Sequence, residues 1–551
     1  MKQATRTSLW LALLGGVFYL PFLGGVHLFD WDEINFAEIA REMIVLDEYF
    51  RPYINYQPFW EKPPLFIWLQ VLSMHLFGVG EYAARFPNAI CGMLTLVLLY
   101  RIGRKLYDHR FGVIWALTYF GTVLPFLYFK SGIIDPWFNL FIFSGIYLFI
   151  LFHWKKNGYG LQLQRHRYTY LFLAGLVIGL GILTKGPVAY LLAALTFGVY
   201  WVYQRFRFYV NVPEFLFYTL SALIVTGLWF GIETLRNGTW FMERFLRYQV
   251  ELFSSSVAGH KGFPGYHFVV LLIGCFPASI FAIRSFFRFP AEREDYQRDF
   301  RWWMKFLLWV VVILFSIVES KIVHYSSLAY FPLTFLAALS VQKILDQQIR
   351  LSPGMRRGLW AVGGLYILLT LAMPFVGLEA ERLAPLFNDP FAQANLEAEV
   401  NWTGWEIIPG LFLLGLMIYS LRLFRQRYTW DGFRTLFVGT GVFVFLTLIF
   451  FIKRIEGYSQ RAALAFYESK QQENAYIITH GFKSYAHLFY HRKPPVINEK
   501  SYDKEWLLRG DIDKDVYVVS KIHKAHQLDE YPGLEEVGRK NGFVFFHRPA
   551  E

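Results

Sequence analysis

The 551-residue chain has almost no cysteine and little charge. Its two cysteines, Cys91 and Cys275, both lie in long apolar runs, which excludes a disulfide framework and a cysteine-based zinc site. Charged residues make up 17% of the chain, against the roughly 25% usual for soluble domains, so a soluble enzyme of ordinary composition is excluded. The C-terminal segment lacks a glycine-rich phosphate loop and a dinucleotide fingerprint, and no convincing tandem repeat occurs. What the chain has instead is apolar and aromatic: 55% hydrophobic residues, with Phe, Trp and Tyr alone at 20%.

Apolar stretches long enough to cross about 30 Å of hydrocarbon recur through most of the sequence, and in a bilayer each must be a helix because no water satisfies its backbone. Thirteen are expected, with cores near 8–26, 85–103, 110–127, 133–153, 169–184, 187–204, 213–235, 266–286, 303–318, 326–344, 358–376, 405–423 and 435–453. The fifth and sixth, divided by Thr184-Lys185-Gly186-Pro187, are either two spans or one broken helix. The first reads as a retained anchor, since no small-residue cleavage site follows it. Lys2, Arg6, Arg101, Arg104, Lys105, Lys155, Lys156, Arg165, Arg167, Arg205, Arg207, Arg350, Arg356, Arg357, Arg422, Arg425, Arg427 and Arg434 then fall on one face. The positive-inside rule makes that face cytoplasmic. The formal charge of +12 is therefore a topology signal, and no nucleic-acid partner is expected. The fold class is a mainly α, polytopic membrane protein. A transmembrane domain is expected over 1–454, and a small α/β domain on the outer side over 455–551. In the latter, Ala475-Tyr476-Ile477-Ile478, Asp515-Val516-Tyr517-Val518-Val519 and Phe543-Val544-Phe545-Phe546 read as strands.

Ionisable residues gather on the outer side. Asp32-Glu33 opens a helical pattern of Phe36, Ile39, Met43 and Leu46, with Asp32 at or near the N-cap. A second helix is expected from Pro63-Pro64 through Leu69, and both read as interfacial helices in the headgroup layer. Between them stands Trp60-Glu61-Lys62-Pro63-Pro64. Asp135 starts the fourth span, Lys185 sits at the outer turn of the fifth and sixth, His260-Lys261 precede the eighth, and Lys321, His324 and Tyr325 lie between the ninth and tenth. Each has a bland reading beside the functional one: a helix cap for Asp32, a first-turn charge for Glu33, a snorkelling anchor for Lys62, headgroup or loop hydrogen bonds for the histidines, and a structural ion pair for Asp135 and Lys185. Accumulation on one leaflet favours function, because charges at membrane depth are costly.

These residues resemble the polyprenyl-phosphate-dependent glycosyltransferases of the GT-C class, particularly the bacterial aminoarabinose transferases of lipid A and their protein mannosyltransferase relatives. The likeness runs in order through Asp32-Glu33 with Phe36 to Met43, Glu61-Lys62-Pro63, Tyr82 to Arg85, Asp135, Thr184 to Pro187, His260-Lys261 with Pro264 and Tyr266, and Ser320 to Tyr325. It implies an inner-membrane enzyme that moves a sugar, with 4-amino-4-deoxy-L-arabinose as one candidate, from undecaprenyl phosphate to an acceptor such as lipid A phosphate. The resemblance carries the catalytic carboxylate to Asp32, with Glu33 beside it. It carries the donor phosphate to Lys62 and Tyr325, with Glu61, Arg85, Asp135, His260, Lys261, Lys321 and His324 as further substrate contacts. Arg247-Tyr248-Gln249-Val250-Glu251-Leu252-Phe253 departs from the family, which has a His and an Arg-Phe pair there, and this leaves sugar and acceptor open.

In such a transfer negative charge grows on the departing phosphate, so fixed positive donors bind the transition state better than the ground state. A hydroxyl acceptor also needs a carboxylate base, which Asp32 provides. For a phosphate acceptor Asp32 instead orients the acceptor or stabilises an oxocarbenium-like centre. No cofactor is required, and Glu61, His260 and His324 form a metal site only if they meet in space. A monomer working on membrane lipids, with a lipid or protein acceptor, is expected. A flippase of lipid-linked sugar is the competing class, but it calls for internal repeats and midplane charges.

Overall fold

A computed structural model describes residues 2–254, 262–287 and 289–550. Helix α1 (Lys2–Tyr19) leads into a segment holding α2 (Asp32–Leu46), a two-stranded hairpin β1–β2 (Tyr53–Ile54, Gln57–Pro58) and α3 (Leu65–Phe77). Then come α4 (Glu81–Leu106), α5 (His109–Phe120), α6 (Val123–Tyr128), α7 (Asp135–Asn157), α8 (Arg167–Lys185), α9 (Val188–Tyr203), α10 (Val212–Asn237) and α11 (Trp240–Ser254). After them follow α12 (Tyr266–Gly274), α13 (Ala278–Arg284), α14 (Asp295–Ile317), α15 (Tyr330–Leu345), α16 (Pro353–Leu378), the short α17 (Ala380–Leu383) and α18 (Pro390–Leu396), α19 (Ile408–Arg425) and α20 (Thr429–Gly457).

Among the described residues nine helical segments are long and apolar enough to cross a membrane, or ten if α12 and α13, bent by 112°, count as one. The chain is thus a multi-pass membrane protein. The remaining three of the thirteen expected spans fall on α1, on α5 followed by α6, and on α9, helices of 18, 12, 6 and 16 residues. The run expected at 110–127 breaks at Gly121, where a side chain has no room: an added Cβ would lie 2.0 Å from the carbonyl oxygen of Phe437. Helices α8 and α9 are separate, divided by Gly186 at φ +119°. One buried core rich in Phe, Tyr and Trp, including Trp115, Phe143, Phe331 and Phe335, unites the bundle.

Of the two helices expected in the headgroup layer, α3 keeps Leu72, Leu76 and Phe77 exposed, whereas α2 is largely enclosed by protein. Eleven of the fifteen residues of α2 are buried, among them Glu38, Arg41 and Glu42. This helix packs on α3 and α4 and is covered by the C-terminal segment: α21 (Arg461–Ser469), β3 (Tyr476–His480), α22 (Ala486–Tyr490), β4 (Val516–Lys521), β5 (Glu535–Lys540) and β6 (Phe543–Arg548) share a core with α2 and α3. Its sheet runs β3-β4-β6-β5, with β3 parallel to β4 and the other pairs antiparallel. The two-residue period of β4 serves two cores: Tyr517 and Val519 face α2 and α21, while Val516 and Val518 face a small cluster of their own with Leu507, Leu508 and Phe546.

Polar latches fix this packing. Arg41 forms a two-bond fork on Glu38, both at 2.7 Å, and also donates to the Lys493 carbonyl at 3.0 Å. Tyr56 Oη donates to the same carbonyl at 2.6 Å. Burial, with Glu38 adjacent, pushes the Glu42 carboxyl well above its ordinary range. The Leu28 amide donates to Tyr490 Oη at 2.7 Å, and Gln460 Nε2 donates to the Leu28 carbonyl at 2.7 Å. These bonds hold the backbone just ahead of Asp30 and Asp32.

Candidate functional site

The first turn of α2 projects between two cavities. Trp31 is the N-cap residue and makes no side-chain cap bond, so Asp32 occupies the first helical position, where the helix dipole favours a carboxylate. The smaller cavity, about 180 Å³, is lined by Asp32, Asn35, Glu61, Lys62, Asp135, Lys185 and Tyr325, among others. The larger, about 920 Å³, takes in Asp30, Glu33, Arg85 and Lys130 and an apolar wall of Leu124, Leu127, Phe445, Leu448, Ile449 and Ile452. Trp31, Asp32, Glu61, Tyr248, Ile322 and His324 line both. Asp32 therefore stands on the partition, with His324 Nε2 3.8 Å from its Oδ2 and the other ring nitrogen of His324 held 3.0 Å from Tyr128 Oη.

In the smaller cavity three basic or hydroxyl groups converge from distant parts of the chain. Lys62 Nζ lies 4.9 Å from the centre of the Tyr248 ring and donates a 3.3 Å bond to the Glu61 carbonyl. Burial pushes the Lys62 amine below its ordinary range; the Glu61 carboxylate opposes this and Lys185 adds to it. Lys185 Nζ contacts Asp135 Oδ1 at 2.6 Å and lies 5.7 Å from the Tyr325 ring. The second oxygen of Asp135 is buried without a partner among the described residues. The ion pair expected as one reading for Asp135 and Lys185 is thus present, inside the cavity wall. Gly186 makes this corner possible: at its positive φ an added Cβ would lie 3.1 Å from Phe245 and 3.2 Å from Gln249 Oε1, so α11 rests directly on the turn.

Other expected site residues have partners of their own. Glu33 Oε1 accepts from Arg85 Nε at 3.0 Å and from the Gly132 amide at 2.5 Å, while its Oε2 accepts from Arg85 at 2.8 Å and from the Phe29 amide at 2.9 Å. Burial alone would raise its carboxyl, but the Arg85 charge and these donors hold it below the usual range. Arg85 spends its remaining donors on the carbonyls of Leu23, Val26 and His27. Lys321 caps the end of α14 by donating to the carbonyls of Phe315, Ser316 and Val318, and it lines neither cavity. His260 and Lys261 lie outside the described residues.

Several site groups carried no signal of their own in the sequence. Tyr248, on α11, closes the wall between the cavities and stacks edge-on against Trp60 at 5.6 Å. Asp30 lines the larger cavity; burial and the nearby Asp32 push its carboxyl up to about 6, against a hydrogen bond from Ser484. Lys483, from the C-terminal segment, lies 4.7 Å over the Trp31 ring and lines the same cavity. Among the described residues no three His, Cys, Asp or Glu side chains are grouped to hold a metal.

The sequence pattern of the dolichyl-phosphate-mannose-protein mannosyltransferase family matches residues 61–230. The undecaprenyl phosphate-alpha-4-amino-4-deoxy-L-arabinose arabinosyl transferase of Photorhabdus laumondii is 27% identical over 332 residues, covering 60% of this chain and 58% of that protein. That of Edwardsiella ictaluri is 27% identical over 375 residues, covering 66% and 65%. The match thus spans under two thirds of the length of either relative. ArnT from Cupriavidus metallidurans superposes with a TM-score of 0.74 when bound to undecaprenyl phosphate and 0.71 in the apo state. The identities are 18% and 19%, and at least 98% of each chain is covered. The fold is that of ArnT.

Proposed function

From this kinship and from the geometry, we propose that the chain is an inner-membrane glycosyltransferase that moves a sugar from a polyprenyl phosphate to an acceptor on the outer leaflet. The observation that carries the proposal is the position of Asp32 on the wall shared by a small cation-bearing cavity and a large apolar-walled one. The donor's phosphate and sugar enter the small cavity, where Lys62, Lys185 and Tyr325 surround the phosphate. The acceptor approaches from the large cavity, with its chains against Phe445, Leu448, Ile449 and Ile452. The bond between the anomeric carbon and the phosphate oxygen breaks, the acceptor oxygen takes its place on that carbon, and polyprenyl phosphate leaves.

Lys62 stabilises the charge growing on the leaving phosphate, in a setting dry enough to strengthen the interaction. With a hydroxyl acceptor, Asp32 takes its proton; with a phosphate acceptor it orients the incoming oxygen. Glu33 and Arg85 act as positioning residues, since their bonds to Phe29, Gly132, Leu23, Val26 and His27 pin the loop that presents Asp32. The apolar wall supports a lipid acceptor, with lipid A phosphate and 4-amino-4-deoxy-L-arabinose as the pair that the relatives' names suggest. The enzyme is proposed to work as a monomer, with its N-terminus in the cytoplasm and the site facing the periplasm.

Turnover with undecaprenyl-phosphate-linked sugar and purified lipid acceptor tests the reading. Asp32→Asn keeps the helix start and removes the charge; it is expected to lower turnover at least about hundred-fold, the scale of a lost general base, with donor binding within a few-fold of wild type. Near-normal turnover in Asp32→Asn would refute the role given to Asp32. Absence of any sugar transfer by the wild type, with undecaprenyl phosphate still bound, would refute the activity.

A further inference from the structure

A second polar cavity, about 640 Å³, opens at the opposite end of the bundle from Asp32. It lies among the end of α7 (Asn157, Tyr159), the turn after α9 (Tyr203, Gln204, Arg205, Arg207) and the first turns of α14 (Asp295, Arg298, Asp299, Trp302). The same three helices reach the candidate site at their other ends. Asp135 begins α7, Val188 begins α9, and Val318 follows α14, and all three residues line the small cavity. Helices of 16 and 23 residues separate the two cavities by about 24–35 Å at 1.5 Å per residue.

The turn after α9 sorts its side chains by chemistry. Arg205 and Phe206 are both left-handed, at φ 55° and 61°, a conformation that persists in non-glycine residues only where the surroundings enforce it. The rings of Phe206 and Phe208 pack 5.1 and 5.5 Å from Trp201. They remain 59% and 79% exposed, as aromatics do at a lipid–water boundary. The alternate residues, Arg205 and Arg207, line the cavity.

Charge in the cavity is unbalanced at these two arginines. Arg298 pairs with Asp295 at 2.5 Å. The Asp299 carboxylate accepts from Trp154 Nε1 at 2.7 Å, Trp303 Nε1 at 3.0 Å and Tyr200 Oη at 2.7 Å. Nearby Lys156 is paired with Glu214 at 2.6 Å. Among the described residues no carboxylate forms a salt bridge with Arg205 or Arg207. Two guanidinium forks offer planar donor sets that match phosphate oxygens, beside an aromatic shelf in which Tyr203 and Trp302 lie 5.1 Å apart.

We propose that this cavity binds the phosphate group of an anionic phospholipid through Arg205 and Arg207, in the leaflet opposite the candidate site. The exposed Phe206 and Phe208 beside the arginines favour a lipid over a dissolved ion, since they place the cavity rim in the acyl boundary. A lipid seated there joins the ends of α7, α9 and α14, so its binding reads out as stability without reference to any catalysis.

The test uses delipidated, detergent-purified full-length protein. Retention of added phosphatidylglycerol is measured by native mass spectrometry, and the melting temperature is followed in parallel. Phosphatidylcholine and inorganic phosphate serve as separate arms. Wild type is expected to retain phosphatidylglycerol at least about ten-fold better than the Arg205→Gln, Arg207→Gln double variant, the loss of one or more charge-assisted hydrogen bonds. It should also melt higher with phosphatidylglycerol than with phosphatidylcholine. The Arg422→Gln, Arg425→Gln variant, which removes equal charge from the end of α19, should behave as wild type. Equal retention by wild type and the Arg205/Arg207 variant would overturn the site. Equal loss in the Arg422/Arg425 variant would reduce it to bulk surface charge. Saturation by inorganic phosphate without retention of phosphatidylglycerol would overturn the lipid assignment.

Discussion

Removing the Lys62 ammonium isolates donor-phosphate binding from the rest of the site. Among the described residues its one hydrogen bond is the 3.3 Å contact to the Glu61 carbonyl, and Lys62 lines the small cavity. Substitution by Ala removes a charge-assisted phosphate contact of about 1.5–3 kcal/mol, a loss of about ten- to 150-fold in affinity. The lower part of that range is expected, because Lys185 remains in the same cavity and continues to attract phosphate. Lys185→Ala is a poorer probe: it removes the lysine that pairs directly with the buried Asp135, and breaking a buried pair costs about 3–5 kcal/mol of stability. Titration of detergent-purified Lys62→Ala with undecaprenyl phosphate, following tryptophan fluorescence, measures the effect. Burial lowers the Lys62 amine, so its charge is lost at lower pH than that of a surface lysine. Wild-type affinity should therefore weaken earlier on the alkaline side, and the Ala variant should lack that limb. Equal affinity for wild type and Lys62→Ala would remove Lys62 from the donor site.

Arg85→Met leaves Glu33 buried and uncompensated and should destabilise the protein by about 3–5 kcal/mol, seen as a lower melting temperature, whereas the Arg85→Met, Glu33→Gln double variant should recover part of it. Full stability of Arg85→Met would contradict the positioning role. Asp30 has a folded value of about 6, above its unfolded value, so its protonated form favours folding. That contribution is present below about pH 4 and disappears as the pH rises through about 6. Asp30→Asn should flatten the melting temperature between pH 4 and 7, by a modest amount because Asp30 lines the open larger cavity, where solvent screens part of the effect. An unchanged slope would argue against that shift. Fusion of a reporter active only outside the cytoplasm after Glu551 should report activity, and fusions within 155–168 and 422–434 should not; the reverse pattern would invert the topology.

Much of the membrane architecture was legible in the linear order of residues. A span must satisfy its own backbone hydrogen bonds, so each long apolar run declares itself without reference to its neighbours. Runs that depend on neighbours were less legible. The stretch at 110–127 is divided at Gly121, where Phe437 leaves no room for a side chain, and α2 is buried between α3, α4 and the C-terminal segment. The strand pattern around Tyr517 was visible as local alternation. That its two faces serve different cores was not.

Sequence alone determined which chemical groups gather at one end of the bundle: Asp32, Lys62, Asp135, Lys185, His324 and Tyr325 are there because a charge inside hydrocarbon is too costly to place at random. Tertiary structure alone decided which of them share a cavity and which are spent elsewhere. Glu33 and Arg85 satisfy each other, Lys321 caps a helix, and Tyr248 and Lys483 arrive from remote segments to meet Lys62 and Trp31. The reason is physical: periodicity and hydropathy are properties of single helices. A functional site is set by distances of a few ångströms between side chains on different helices, and those distances exist only after the whole bundle has packed.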